Sequence, residues 1–273
     1  MRPPQTLSRL AWILMPIACA AYLGWCDHVR IRHVEAVTAV AEDGAAVTAA
    51  SPTGYADGKR WLIVPEHNNP TYQWIEETQL MAQRGDWRVR SVDYENSPQG
   101  RDVHSASPYR WWLVALAAAD RAVSGRPLGL ALEHAALYAD PLLQLLLLAG
   151  AAAFAARRFG GFAGALVALC VTALYPLGAA MLPGVANDFA LSQIAALWSI
   201  LLAAAAVSSD EGQARRLFAA GCAGGCGLWL SAEGQVPAIA GIAAGAVLAA
   251  ILGGRDRPGG PLPWRAWAYG GAI

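Results

Sequence analysis

Residues whose chemistry could bind or transfer charge gather in two stretches of this 273-residue chain. The longer holds Glu66-His67-Asn68-Asn69-Pro70-Thr71-Tyr72-Gln73-Trp74-Ile75-Glu76-Glu77 and then Tyr94-Glu95-Asn96-Ser97-Pro98-Gln99-Gly100-Arg101-Asp102-Val103-His104. The shorter is Pro183-Gly184-Val185-Ala186-Asn187-Asp188. Arg101 carries a planar guanidinium suited to a lipid phosphate, although an ordinary surface arginine fits the position equally. Asp188 stands where a helix is expected to begin, and a carboxylate there is favoured by the helix dipole with no further role. His104 reads equally as an interfacial polar residue, and Glu133 and His134 as the edge of a span. Glu233 lies in a short turn that faces the same compartment as the longer stretch. Cys222 and Cys226 are one helical turn apart among small residues, where helix packing is the expected reading and a disulfide or metal pair the alternative.

The elements that must position these residues are apolar helices. Charged residues make up 15% of the chain and hydrophobic ones 56%, and the apolar residues fall in blocks of about twenty, the length that crosses a bilayer core as a helix. Backbone polar groups in lipid must be satisfied internally, so such blocks are helical. The first runs from Leu10 to Cys26 behind Arg2 and Arg9, with Trp12 and Trp25 at its ends; a retained span is expected rather than a cleaved signal peptide. Five more follow at roughly 133–156, 160–182, 189–207, 216–232 and 235–253. Arg157-Arg158, Arg215-Arg216 and Arg255 with Arg257 fall in alternate connectors, as does the basic N-terminus. Basic connectors stay in the cytoplasm, which puts residues 27–132 and the turns 183–188 and 231–235 on the other side.

The expected fold is therefore all-α: a polytopic membrane protein of about six transmembrane helices with a long extracytoplasmic first loop. Its parts are a cytoplasmic N-terminus and first span (1–26), the loop (27–132), a five-span bundle (133–253), and 254–273, a cytoplasmic tail or the start of a truncated further span. Within the loop, Pro70 is placed for the first turn of a helix, Pro98-Gln99-Gly100 for a turn, and Tyr109 to Val123 for an interfacial helix. A net charge of zero argues against a nucleic-acid partner, which would leave a basic footprint.

Residues of about 60–210 resemble the catalytic subunits of oligosaccharyltransferases and their bacterial and archaeal relatives, in the C-type glycosyltransferase superfamily (GT-C). That family keeps an acidic metal ligand just before a Tyr in its first loop, then a Tyr-x-Tyr-Pro-x-Gly-x-x-x-His-Trp stretch leading to the second span. Tyr94 to His104 retains the Pro-x-Gly and the His three residues beyond Arg101. Glu133-His134-Ala135-Ala136 leading to Pro141 resembles the family's second span, and Arg158-Phe159-Gly160-Gly161 its cytoplasmic turn. Pro183 to Phe189 corresponds to the family's short acidic loop after the third span.

The resemblance implies transfer of a sugar or oligosaccharide from a polyprenyl-phosphate-type lipid carrier to an extracytoplasmic acceptor of unknown kind. A divalent cation, Mg²⁺ or Mn²⁺, would stabilise the phosphate leaving group, and such hard cations prefer carboxylate oxygens. Carried over residue by residue, the first-loop ligand falls on Asn69 (or Asn68) and the second on Asn187, with Asp188 beside it. Asp188, Asn187 and Asn69 are thus the expected catalytic positions, Asp188 and Asn69 the metal ligands. Arg101, His104, Glu66 and Tyr72 are the expected substrate contacts. Glu66 and Glu76 are nearby acids that could substitute for a missing carboxylate. Other readings are a catalytically silent relative, which binds a lipid-linked glycan or scaffolds a partner, and a transporter. Membrane lipid is an expected partner in every case, and a bacterial inner (plasma) membrane the expected location.

Overall fold

The computed structural model describes residues 5–38, 55–56, 59–60, 71–208, 211–252 and 262–272. They are mostly helical, with ten helices among them. In chain order these are α1 Gln5–Thr38, α2 Thr71–Arg84, α3 Pro108–Ser124, α4 Leu128–Phe159, α5 Gly161–Ala173, α6 Tyr175–Ala179, α7 Phe189–Val207, α8 Gln213–Leu230, α9 Ala232–Leu252 and α10 Trp264–Ala272. Two antiparallel pairs of short strands interrupt them: β1 Tyr55–Ala56 with β2 Lys59–Arg60, and β3 Ser91–Val92 with β4 Arg101–Asp102.

Two helices, α4 and α7, are long and apolar enough to cross a membrane. α4 has 32 residues, about 48 Å at 1.5 Å per residue, and stops where Gly160 takes a φ of 99°, a value only glycine adopts without strain. α7 coincides with the expected block 189–207. The block 160–182 behaves differently. It breaks into α5, of 13 residues, and the single turn α6, with Leu174 extended between them at ψ 116°. A proline at 176 has no N–H to give to the Thr172 carbonyl, so the helix cannot run through.

Two other boundaries move. α1 continues past Cys26 to Thr38, so the long loop begins as a helical extension. The turn expected over 231–235 shrinks to Ser231, extended at φ −157° and ψ 111°. Its hydroxyl accepts the Gly234 N–H at 3.3 Å, the bond of a helix N-cap, so Glu233 lies in the first turn of α9.

The chain divides into two compact units. One contains Ala20–Leu145 and Gly178–Asn187. Here α2 packs on α3, and Met81, Val89, Val92 and Val103 form a core under the β3–β4 hairpin. The other contains Met1–Cys19, Leu146–Leu177 and Asp188–Ile273, where α8 packs on α7, α9 and α10. The expected small-residue packing around Cys222 and Cys226 is present. A Cβ built on Gly221 would lie 2.0 Å from the Trp267 carbonyl oxygen, and one on Gly225 would lie 2.9 Å from that of Gly271. Both cysteines are free thiols.

Candidate functional site

The polar centre of the first unit is built by α2, the β3–β4 hairpin and the start of α3. α2 begins right after Pro70, and its buried face carries Thr71, Trp74, Ile75, Thr78 and Met81, the i, i+3, i+4 spacing of an amphipathic helix. Glu77 lies beside that stripe and is almost fully buried. Burying a lone carboxylate is very costly, and Glu77 has three partners. Its Oε1 accepts from Arg101 Nη2 at 2.6 Å and from Gln73 Nε2 at 3.2 Å, and its Oε2 accepts from Arg110 Nη2.

Arg110 is itself fully buried. Pro108, at the first turn of α3, starts the helix so that the Arg110 guanidinium lies 4.5 Å from the centre of the Trp74 ring, a cation–π contact. Its Nη1 donates to the Ala106 carbonyl at 3.1 Å and its Nη2 to Ser105 Oγ at 2.6 Å. Next to it, Tyr109 packs edge-on against Trp74 at 5.4 Å and donates its hydroxyl to Asp140 Oδ1 of α4 at 2.9 Å. Trp112 adds a bond to the Ala139 carbonyl at 3.0 Å. The segment Ser107 to Trp112 therefore fastens the loop to α4.

Arg101 reaches this cage from the hairpin, where the turn expected at Pro98-Gln99-Gly100 is present. Gly100 has a φ of 76°, and a Cβ there would come within 2.8 Å of the Val92 carbonyl oxygen. Besides Glu77, Arg101 pairs with Glu95. Burial lowers the proton affinity of its guanidinium, but the hydrogen bonds and charges of Glu77 and Glu95 outweigh that and raise it. Tyr94 borders the same group: desolvation and the carboxylates of Glu76, Glu77 and Glu95 push its phenol up to about 12. Two arginines and two glutamates balance, so the cage is neutral and any phosphate contact by Arg101 must compete with Glu77 and Glu95.

The other expected site residues lie on several elements. Tyr72 is half-buried in the first turn of α2, and His104 is exposed between β4 and α3. Asn187 is buried at the end of the 178–187 segment, its Nδ2 donating to the Val185 carbonyl at 2.7 Å. Asp188 is the residue before α7 and makes no side-chain capping bond, so the dipole argument applies to its charge but not to its hydrogen bonding. Glu66, Asn68 and Asn69 lie outside the described residues. Among the described residues no group of three or more His, Cys, Asp or Glu side chains could hold a metal ion. Asp188 and Asn187 alone do not make up a cation's ligand set, and the other expected ligand, Asn69, lies outside the described residues. His134 pairs its Nδ1 with Asp120 Oδ1 at 2.8 Å, and Arg126 joins the same oxygen at 2.7 Å. This trio ties the end of α3 to the start of α4.

No protein-family model, curated protein or solved structure matches this chain. Two groups stand out in the geometry that the residue pattern did not single out. One is the Glu77–Arg110 pair. The other is Asp27 with Arg30, on the extension of α1. Arg30 Nε donates to the Pro183 carbonyl at 3.0 Å and so anchors the turn that carries Asn187. Asp27 is pushed up from 3.8 to about 6 by desolvation, with Arg30 opposing. The signal for both groups was a charge beside an apolar helical face, visible in sequence but without a partner to give it meaning.

The raised Asp27 value has a definite sign. A carboxyl whose folded value lies above its unfolded one contributes stability that is present below about pH 4 and lost as pH rises through about 6. Asp27→Asn should therefore stabilise the chain at pH 7.5 relative to wild type and show no such gain at pH 4. The difference should be about 1 kcal/mol after allowance for solvent screening of a half-exposed group. Thermal melts at the two pH values check it, and a gain of equal size at both would contradict the assignment.

Proposed function

We propose that this chain is a polytopic membrane glycosyltransferase of the GT-C type, taking a sugar from a polyprenyl-phosphate-type carrier to an extracytoplasmic acceptor. The observation that carries the reading is the fastening of the loop. The stretch that resembles the family's first-loop motif, Tyr94 to His104, is locked by Arg101 to buried Glu77 and through Ser107–Trp112 to α4. A rigid roof of this kind suits a reaction at the membrane face, where the lipid tail stays in the bilayer and the charged head reacts above it. In that reaction a bond forms between the acceptor and the anomeric carbon while the bond to the phosphate oxygen breaks, the polyprenyl phosphate leaving with the electron pair and the acceptor's proton passing to a base such as Asp188. Fixed geometry at such a centre is a large part of catalysis. α4 and α7, long and apolar enough to span, support the membrane setting, and the alternation of arginine clusters supports the six-span topology with the loop outside.

A second reading is favoured by Asn187. Its amide is buried and bonded within its own turn, a structural role that suits a catalytically silent relative. One assay separates the two. The chain is reconstituted in liposomes with a radiolabelled polyprenyl-phosphate sugar, Mg²⁺ or Mn²⁺ and candidate acceptors. Asp188→Ala is expected to lower transfer about 100-fold or more, the scale of losing a carboxylate that takes the acceptor's proton. Wild-type transfer that survives Asp188→Ala unchanged would sink the proposed assignment of that residue. No wild-type transfer, with transfer appearing in Asn69→Asp/Asn187→Asp, would establish the silent relative instead.

A further inference from the structure

In the second unit, Arg158 at the end of α4 and Arg216 in the first turn of α8 converge on one atom. Arg158 Nη2 and Arg216 Nη1 each donate to the Ala205 carbonyl oxygen, both at 3.3 Å. Ser208 Oγ donates to the same oxygen at 3.1 Å. That carbonyl lies in the last turn of α7, whose negative end favours a cation, but two guanidinium groups on one oxygen repel each other, and among the described residues neither is paired with a carboxylate. Arg158 Nε is buried there with no hydrogen-bond partner. Orientation by the positive-inside rule needs only basic residues in the connector, which exposed Arg157 and Arg215 already supply. It does not need two arginines turned inward onto the last turn of α7. The N-terminus of α8 adds its own positive partial charge.

An apolar groove of about 420 Å³ runs along α7 and α9 and reaches Val207 in that same last turn, with neither arginine in its lining. Ile200, Ala203 and Val207 line it from α7, Gly241 and Gly245 from α9, and Trp264 from α10. A Cβ built on Gly241 or Gly245 meets no atom within 4 Å, so the glycines leave the groove open instead of bringing helices together as Gly221 does.

We infer that this groove and the Arg158–Arg216 pair hold one anionic phospholipid. Its phosphate lies between the two guanidinium groups, and an acyl chain lies along Gly241 and Gly245. Charge complementarity identifies the occupant: guanidinium forks match phosphate oxygens, and basic pockets at the cytoplasmic ends of membrane helices take acidic headgroups. The inference rests on the membrane reading above and not on any transfer activity.

The test uses the full chain, first inserted into phosphatidylcholine liposomes and assayed for resistance to carbonate extraction. It is then purified in a neutral detergent, and lipid retention is measured by native mass spectrometry with phosphatidylglycerol, phosphatidylcholine or inorganic phosphate added. The unaltered chain is expected to retain phosphatidylglycerol about tenfold or more over phosphatidylcholine, as two arginines near the headgroup imply. Arg158→Gln/Arg216→Gln should abolish that preference. Gly245→Leu keeps both arginines and fills the groove, and should weaken phosphatidylglycerol retention. Equal retention of the two lipids by the unaltered chain would overturn the site. Displacement of phosphatidylglycerol by inorganic phosphate, or retention unaffected by Gly245→Leu, would overturn the lipid as its occupant. A chain extracted from liposomes by carbonate would instead overturn the membrane reading itself.

Discussion

Glu77→Ala is expected to destabilise the loop unit by about 3–5 kcal/mol, the cost of leaving one charge of a buried pair uncompensated. Arg110 has no exposed surface and Glu77 only 1%, so water cannot replace the lost carboxylate. Trp74 and the Ala106 carbonyl would still contact the guanidinium, but neither carries a counter-charge. Arg101→Ala should cost much less, about 1 kcal/mol, because its side chain is 30% exposed and solvated pairs contribute little. Removing both members of the buried pair, in Glu77→Ala/Arg110→Met, should be milder than Glu77→Ala alone, since no lone charge remains. Hydrogen exchange over residues 71–124 in detergent would measure all three. Equal losses for Glu77→Ala and Arg101→Ala would show that the cage is not the anchor of the loop. Under the proposed function, a loosened Tyr94–His104 stretch should also lower sugar transfer, even though Glu77 is not placed against substrate.

The second large effect concerns α8 and α10. Gly221→Val should detach α10, because the added side chain would occupy the space of the Trp267 carbonyl. Gly270 meets α8 just as closely, a Cβ there falling 2.1 Å from the Phe218 carbonyl oxygen, so neither helix can yield by a rotamer change. Overpacking of this kind costs about 1–3 kcal/mol or more. Exchange of the 264–272 amides should then accelerate on the order of ten- to hundredfold. Gly241→Ala is the matched control: with open space around its Cβ it should be neutral or slightly stabilising through helix propensity. Acceleration at 264–272 of the same size in both variants would mean that α10 is not held by the glycine contact.

Hydrophobic blocks and breakers made the helices legible. The 189–207 block is α7 and the helix expected over Tyr109 to Val123 is α3, because each depends on the local chain alone. The break at Leu174 was also written in the sequence, as the proline at 176, but the uniform apolarity of 160–182 concealed it. Helical phase was harder. Glu76 and Glu77 are about 100° apart on α2, and only the packing of α2 on α3 decides which one is buried. The sequence offered Glu66 and Glu76 as the acids of interest, and the structure buries Glu77 instead.

The amino-acid sequence thus determined where apolar helices form and which connectors are basic, since hydropathy acts over a few residues. Tertiary structure alone decided which charges meet. Arg110 finds Glu77 across 33 residues and Arg158 meets Ala205 across 47, distances over which spacing says nothing and only the folded path brings partners into reach. For the same reason the two polar stretches, 66–104 and 183–188, are held by partners distant in sequence. In the longer one, Arg101 is bound into a neutral cage. The shorter one is anchored by Arg30, a residue on the first helix that no spacing connected to it.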